Sequence, residues 1–424
     1  MSRPAPAVVV GLDCITGLQT ARILAARGVP VIGIARDPDH FACRTRVCAQ
    51  AYRAETAGPA LIEALERLAP SLAAPAVLYP CTDDAVLALS RERERVQASY
   101  RLVLPDAHVV ESLVDKVRFL ELAERIGLPI PRSFVIRDRA AAEAAAAGLA
   151  YPAVVKPPYK SPAWQQATRE KAFKVRDGAE LLAIHERYAP LAPVLIAQEW
   201  IDGAESELYS CNCYYGREGR PLAAFVARKL RQWPPETGTS SLGEEVRNDD
   251  VLRATLQLFD AVGYRGLGYV EMKRDARSGR QLVIEPNVGR PTGRSAIAEA
   301  GGVELLYTMY CDATGQPLPE ARVQRYVGAR WIYWRHDLQA AFAAWRRGEL
   351  GLRDWARSWR GRKAEAVFSW SDPGPFAADL SRAASRAFDA AARRLGLLDE
   401  PDQPGRPSPA RSDSSRPIRS QSAA

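Results

Sequence analysis

The stretch Gly268–Arg290, "GYVEMKRDARSGRQLVIEPNVGR", holds two runs of alternating apolar and polar residues joined by a short polar segment. A period of two marks strands, and the joining residues suit a turn, so the stretch predicts a hairpin that reverses at Ala276–Gly279. Tyr269, Glu271 and Lys273 then share one face of the first strand, and Val283, Glu285 and Asn287 share one face of the second. A turn centred near Ser278 sets Glu271 opposite Glu285. Like charges facing across a strand pair destabilise it. A bound hard cation removes that cost, and two carboxylates with an amide oxygen suit Mg²⁺. The plainer reading is a solvated polar face on which Lys273 and Arg290 serve as counter-charges.

Two other stretches lie upstream. Between residues 156 and 176 the chain carries Lys156, Lys160, Arg169, Lys171, Lys174 and Arg176 against a single acid, Glu170. Lys156 ends one predicted strand (152–156) and Lys174 lies on the next (171–175), so both can reach a cleft, where ammonium groups would neutralise a polyphosphate. Only eight of the 58 basic residues are Lys, and seven of those fall between 116 and 273, as a phosphate site that needs compact ammonium groups would require. An exposed basic hairpin is the alternative. The third stretch, "VLIAQEWIDGAESE" (194–207), runs a buried strand into Glu199, Trp200 and Ile201, then a Gly203 turn, then Glu205 and Glu207. Backbone groups at such a strand exit can pair with an adenine edge, and the following carboxylate can hold ribose hydroxyls.

Toward the start, "PAVVVGLDCITGLQTARILAARGVPVIGIAR" (6–36) reads as strand, glycine turn, helix and strand. A helix at 59–69, a strand at 76–81 and a helix from Asp83, capped by Thr82 or Asp83, continue a doubly wound parallel sheet of about 110 residues. Gly11 and Gly17 are six apart, but Leu, Asp, Cys and Ile stand between them, so a nicotinamide dinucleotide site is the lesser reading. After Asp115 the pattern changes to α+β, with a helix in "DKVRFLELAERIGLPIP", a strand at 194–199, a hairpin at 207–230 and a helix at 250–262. The portion 321–398 reads as helical and holds six of the nine tryptophans: Trp331, Trp334, Trp345, Trp355, Trp359 and Trp370. Its basic amphipathic stretch 337–361 is expected to pack a lid-like region onto the rest, with a membrane-surface face as the alternative. Residues 399–424 are rich in Pro, Ser and Arg and are expected to be disordered.

A length of 424 residues allows two or three domains, and a net charge of +8 over that length does not imply nucleic acid. Seven Cys without a CxxC pair, and no apolar leader or membrane-length stretch, lead to the expectation of a soluble cytoplasmic protein.

Taken in order, "GLD…GLQTARILAARGVPVIGI", "DKVRFLELAERIGLPIP", "AVVKP", "KAFKV", "ARKLRQWPPETGTSS", "GYRGLGYVEMKRD" and "IEPNVGR" resemble the ATP-grasp superfamily over roughly residues 1–310. The resemblance is nearest to the carbamoyl-phosphate-synthase-like branch with its D-aspartate-ligase-like carboxylate–amine ligases. It implies a Rossmann-like domain at 1–112, a two-lobed ATP-grasp domain at 113–320, a helical lid at 321–398 and a tail at 399–424. By resemblance Glu271, Glu285 and Asn287 hold Mg²⁺, or Mn²⁺ in its place, and Lys116, Lys156, Lys160 and Lys174 contact the ATP phosphates. Glu199 with the backbone of Trp200 and Ile201 would meet adenine, and Glu205 ribose. Lys229, Arg231 and Arg290 would act on the acyl substrate and the transferring phosphoryl group. The implied reaction activates a carboxylate as an acyl phosphate and joins it to an amine, with amino-acid-type substrates and a homodimer expected. A nicotinamide oxidoreductase and a silent ATP binder are the alternatives. The chain departs from the family in two places. No glycine occurs between Gly148 and Gly178, where several relatives have a glycine-rich phosphate loop, and Arg290 follows Asn287 by three residues where carbamoyl phosphate synthase has two. Arg294 is therefore a second candidate for the substrate arginine.

Overall fold

A computed structural model describes residues 4–159, 161–168, 170, 172–235 and 238–394. The chain divides into two compact units, Met1–Phe376 and Ala377–Ala424. The first unit opens with β1 (Ala7–Val10), α1 (Ile15–Ala25), β2 (Val31–Ala35), β3 (Gln50–Arg53), α2 (Gly58–Leu68), β4 (Ala76–Pro80), α3 (Asp83–Arg91), α4 (Arg93–Gln97) and β5 (Tyr100–Arg101). These strands form a parallel sheet in the order β3-β2-β1-β4-β5, the doubly wound arrangement expected from the alternating pattern. Thr82 caps α3 by accepting from the Ala85 N–H, which settles the choice between Thr82 and Asp83. Gly17 serves close packing: a Cβ there would lie 2.2 Å from the Gly11 carbonyl oxygen.

The chain continues through α5 (Ala107–Val114), α6 (Lys116–Arg125), β6 (Ser133–Ile136), α7 (Arg139–Gly148), β7 (Ala153–Lys156), α8 (Pro162–Ala167), β8 (Phe173–Val175), α9 (Gly178–Tyr188) and β9 (Leu195–Glu199). Here an antiparallel sheet has the order β6-β9-β7-β8. Asp115 starts α6 by accepting from the N–H groups of Val117 and Arg118. Among the described residues of the segment without glycine, Trp164 of α8 is fully buried against Phe173 and Tyr188. Its indole N–H also donates to the Glu170 carbonyl at 3.1 Å.

A third sheet uses β10 (Leu208–Tyr215), β11 (Pro221–Trp233), β12 (Thr239–Glu245), β13 (Gly266–Arg274) and β14 (Gln281–Val288), with α10 (Asp249–Ala261), α11 (Ala296–Ala300) and α12 (Leu305–Thr314) around it. The remaining elements are β15 (Arg330–Ile332), α13 (Trp334–Arg346), α14 (Leu352–Arg357), β16 (Lys363–Glu365) and α15 (Gly374–Arg394). The portion after residue 320 is therefore not wholly helical. β15 pairs with β12 and β16 with β15, which extends the sheet to seven strands in the order β14-β13-β10-β11-β12-β15-β16. Strands of three residues leave no readable periodicity, so only their sheet pairing, β15 with β12 and β16 with β15, defines them. The tryptophans divide as well: Trp331 is buried in the sheet, whereas Trp370 is 89% exposed. One apolar core joins the first sheet to the third, including Val8, Leu78 and Leu104 together with Cys211, Met272 and Val288.

Candidate active site

The cleft that holds five of the candidate residues, Lys116, Lys156, Glu285, Asn287 and Arg290, opens between β14, α6 and the four-stranded sheet. It encloses about 150 Å³ and is lined by Asp83, Lys116, Lys156, Gln198, Glu285, Asn287 and Arg290 with apolar neighbours. Each wall has a local cause. Lys116 is the first residue of α6, placed there by the Asp115 cap. Lys156 ends β7, opposite Ile196 of β9. Its ammonium donates to the Gln198 side-chain oxygen at 3.3 Å, and Gln198 donates onward to the Ser133 hydroxyl at 2.8 Å.

The hairpin of β13 and β14 sets Glu271 and Glu285 in direct register, and Tyr269 opposite Asn287, as the turn position requires. The face assignment of Val283 needs correction. A β-bulge follows the Glu271–Glu285 pair, so Met272 faces Val283 and Ile284 is the extra residue. An extra residue reverses the alternation, and Val283 joins Met272 in the core while Glu285 and Asn287 line the cleft. Gly289 permits the exit from this strand. Its φ is +68°, and a Cβ would stand 2.5 Å from Leu104 and 2.9 Å from Val86. Beyond it Arg290 turns back and donates to Asp83 at 2.5 Å, to the Tyr269 hydroxyl at 2.8 Å and to the Asn287 amide oxygen at 2.5 Å. Asp83 is not among the expected residues. It lies 207 positions from Arg290, and no local pattern connects them.

Burial, followed by the facing Glu271 charge, raises the Glu285 pKa, while Lys116 and Lys156 act to lower it. The Lys156 pKa is lowered by burial first and by Lys116 second, with Glu285 opposing. Arg294, itself buried, stands 3.8 Å from Glu271 and donates to the Ser210 hydroxyl at 3.1 Å. The Asn287 amide nitrogen is buried without a partner. These residues fit a small hard cation: all candidate ligand atoms are oxygens, and two carboxylates face each other. Among the described residues no three His, Cys, Asp or Glu converge, so the chain offers two carboxylates. Mg²⁺ held with substrate phosphates needs only one or two.

A second group gathers beside β11. The Lys229 ammonium donates to Gln232 at 3.0 Å, and Gln232 donates to Glu205 at 3.1 Å. Burial lowers the Lys229 pKa, against the pull of Glu271. Lys174 stands 4.2 Å above the Trp200 ring, and Lys273 donates to the Ile201 carbonyl at 2.9 Å.

Two of the expected side chains, Arg231 and Glu199, are engaged within the protein. Arg231 does not accompany Lys229, because a bulge between them lets Lys229 face Gly243 and turns Arg231 opposite Leu242. Its guanidinium is spent on Asp337 of α13, at 2.8 and 3.0 Å, and on the Ser358 hydroxyl at 2.8 Å. The Glu199 carboxylate accepts from the Ala150 N–H at 3.0 Å. The Trp200 N–H donates to the Pro152 carbonyl, and the Ile201 carbonyl accepts from Lys273. Lys160 lies outside the described residues.

No family model matches the chain. Over 234 residues it is 23% identical to D-aspartate ligase of Enterococcus faecium (strain Aus0004), which covers 52% of this chain and 54% of that protein. Over 182 residues it is 33% identical to D-alanine–D-alanine ligase of Ectopseudomonas mendocina (strain ymp), covering 41% of this chain and 55% of the relative. The chain thus spans about half the length of these curated relatives. Among solved structures, the biotin carboxylase domain dimer of Hydrogenobacter thermophilus 2-oxoglutarate carboxylase, in complex with MgADP, ADP and bicarbonate, superposes with a TM-score of 0.59. That match has 15% identity and covers 76% of this chain and 72% of the domain. Together with the strand order and the residues gathered in the cleft, these likenesses point to the ATP-grasp superfamily.

Proposed function

We propose that the protein is an ATP- and Mg²⁺-dependent ligase that activates a carboxylate as an acyl phosphate and joins it to an amine. The observation that carries this reading is the in-register Glu271–Glu285 pair, with Glu285 and Asn287 lining one cleft together with Lys116 and Lys156. The named ligases among its relatives and the MgADP bound to the Hydrogenobacter biotin carboxylase domain support the same reading. Bound Mg²⁺ would supply charge neutralisation between the β- and γ-phosphates. Glu271, Glu285 and Asn287 would hold it. Lys116 and Lys156 would neutralise the phosphate oxygens from the opposite wall, and the Gln198–Ser133 chain would fix the Lys156 ammonium. Lys174 and Trp200 would border the nucleotide, and Glu205 the ribose. Lys229, Arg290 and Arg294 would receive the acyl carboxylate and its phosphoryl group, Arg290 by exchanging its contact with Asp83. Catalysis here is positioning and charge neutralisation, which this set supplies without a covalent step on the protein.

An amino-acid-type substrate and a homodimer belong to the proposal. The test is ADP release from Mg²⁺-ATP across a panel of amino acids, with Glu285→Ala alongside. Release that depends on one acceptor and disappears in the variant is the expected result. Failure to bind ATP would end the reading.

A further inference from the structure

A membrane-surface face built on Trp355 and Trp359 would need both to point outward, but both indole N–H groups turn inward to Asp337, at 3.1 and 3.3 Å. A different set faces outward. Leu338, Phe342 and Trp345 are 51%, 58% and 53% exposed, at helical spacing along one stripe of α13, and Leu352 of α14 is 67% exposed. With Ala341, Leu350, Gly351 and Trp355 they line a groove of about 350 Å³ in which every lining residue is apolar. A contiguous apolar surface of this kind marks an interaction site. The stripe is also rigidly held, because buried Asp337 on the inner face of α13 is bound by Arg231 of β11.

The rim fixes the chemistry of the partner. Between residues 346 and 363 seven exposed side chains are basic and two, Glu349 and Asp354, are acidic. Both acids are already engaged, Glu349 with Arg347 at 2.8 Å and Asp354 with Arg357 at 2.9 Å. Arg346, Arg353, Arg360, Arg362 and Lys363 form no ion pair among the described residues. A groove with almost no polar lining surface offers little to the backbone of a bound peptide. An aromatic and aliphatic ridge flanked by cations instead matches the boundary between acyl chains and anionic headgroups.

We propose that the α13–α14 corner docks on an anionic phospholipid surface, with Leu338, Phe342, Trp345 and Leu352 entering the acyl boundary and the unpaired arginines and Lys363 meeting the headgroups. No described helix is long and apolar enough to cross a membrane, so this contact is peripheral. It is independent of the ligase reading, and its test needs no nucleotide.

The test is co-sedimentation of the full chain with phosphatidylcholine vesicles, with and without phosphatidylglycerol, at low and raised salt. Two variants are compared, Phe342→Ser with Trp345→Ser, and Arg353→Glu with Arg360→Glu. The expected result is binding only to the anionic vesicles, weakened by salt, and reduced about tenfold or more in each variant with the unfolding midpoint unchanged. The charge reversals lie at exposed positions, so that arm stands even if the apolar variant misfolds. The proposal is overturned by failure to bind anionic vesicles, by equal binding to neutral ones, or by binding that neither variant alters. It is equally overturned if the Phe342/Trp345 substitutions split a dimer of the free protein, since a second copy would then cover this face.

Discussion

Two carboxylate sites against the same seven-stranded sheet, one on α13 and one on β14, are treated in opposite ways. Asp337 has no solvent exposure and is fully answered, by the two arms of Arg231 and by the indoles of Trp355 and Trp359. Glu285 faces another carboxylate, and burial with that like charge raises its pKa. Arg294 approaches Glu271 only to 3.8 Å. The first arrangement cancels charge at hydrogen-bond distance and ties α13 to β11. The second holds oxygens together at a cost to the fold, which a cation would relieve. A carboxylate that is answered within the protein supports structure; one left unanswered in a cleft is available to a ligand.

This contrast can be broken by experiment. Glu285→Ala should lower kcat/KM for acceptor-dependent ADP release roughly 10²–10³-fold. It should leave the unfolding midpoint unchanged or raised, because it removes a facing like charge. Asp337→Ala should do the reverse and destabilise the protein by about 3–5 kcal/mol in denaturant titration, since Arg231 would be left buried and unpaired. A neutral result at Asp337 would remove the basis for treating the two sites differently. Lys156→Met should cost roughly 10–10²-fold in kcat/KM for ATP while the circular dichroism spectrum is retained. An intermediate case should give the smallest effect. Glu299 shares Arg27 with Glu304, at 2.9 and 3.0 Å, and burial pushes its pKa from an ordinary 4.5 to about 7. The native protein then keeps a proton that the unfolded chain has released, so stability falls as pH climbs through that interval. Glu299→Gln should flatten this fall and gain about 1–3 kcal/mol above it, read from denaturation midpoints across pH.

Local pattern carried much of the architecture. Alternating residues on either side of a countable turn made the Glu271–Glu285 register legible, because both strands of a hairpin are tied to one turn. Thr82 and Asp115 marked helix starts through their own side-chain chemistry. The basic residues near 116 and 156 were visible as lysines in an arginine-rich chain, and the structure sets both around one cleft.

What the sequence determined by itself is therefore many of the elements before residue 320, the hairpin register and the chemical character of the cleft, all governed by neighbours within a few residues. Tertiary structure alone decided which way several of those side chains point. Bulges beside Glu271 and between Lys229 and Arg231 reverse the strand alternation, sending Val283 to the core and Arg231 to Asp337. It also brought Asp83 to Arg290 and added β15 and β16 to the sheet edge. The physical reason is that a period-two pattern specifies a face only while every residue is paired. Where the chain inserts an extra residue, or meets a partner hundreds of positions away, the outcome is set by the packing of the whole molecule.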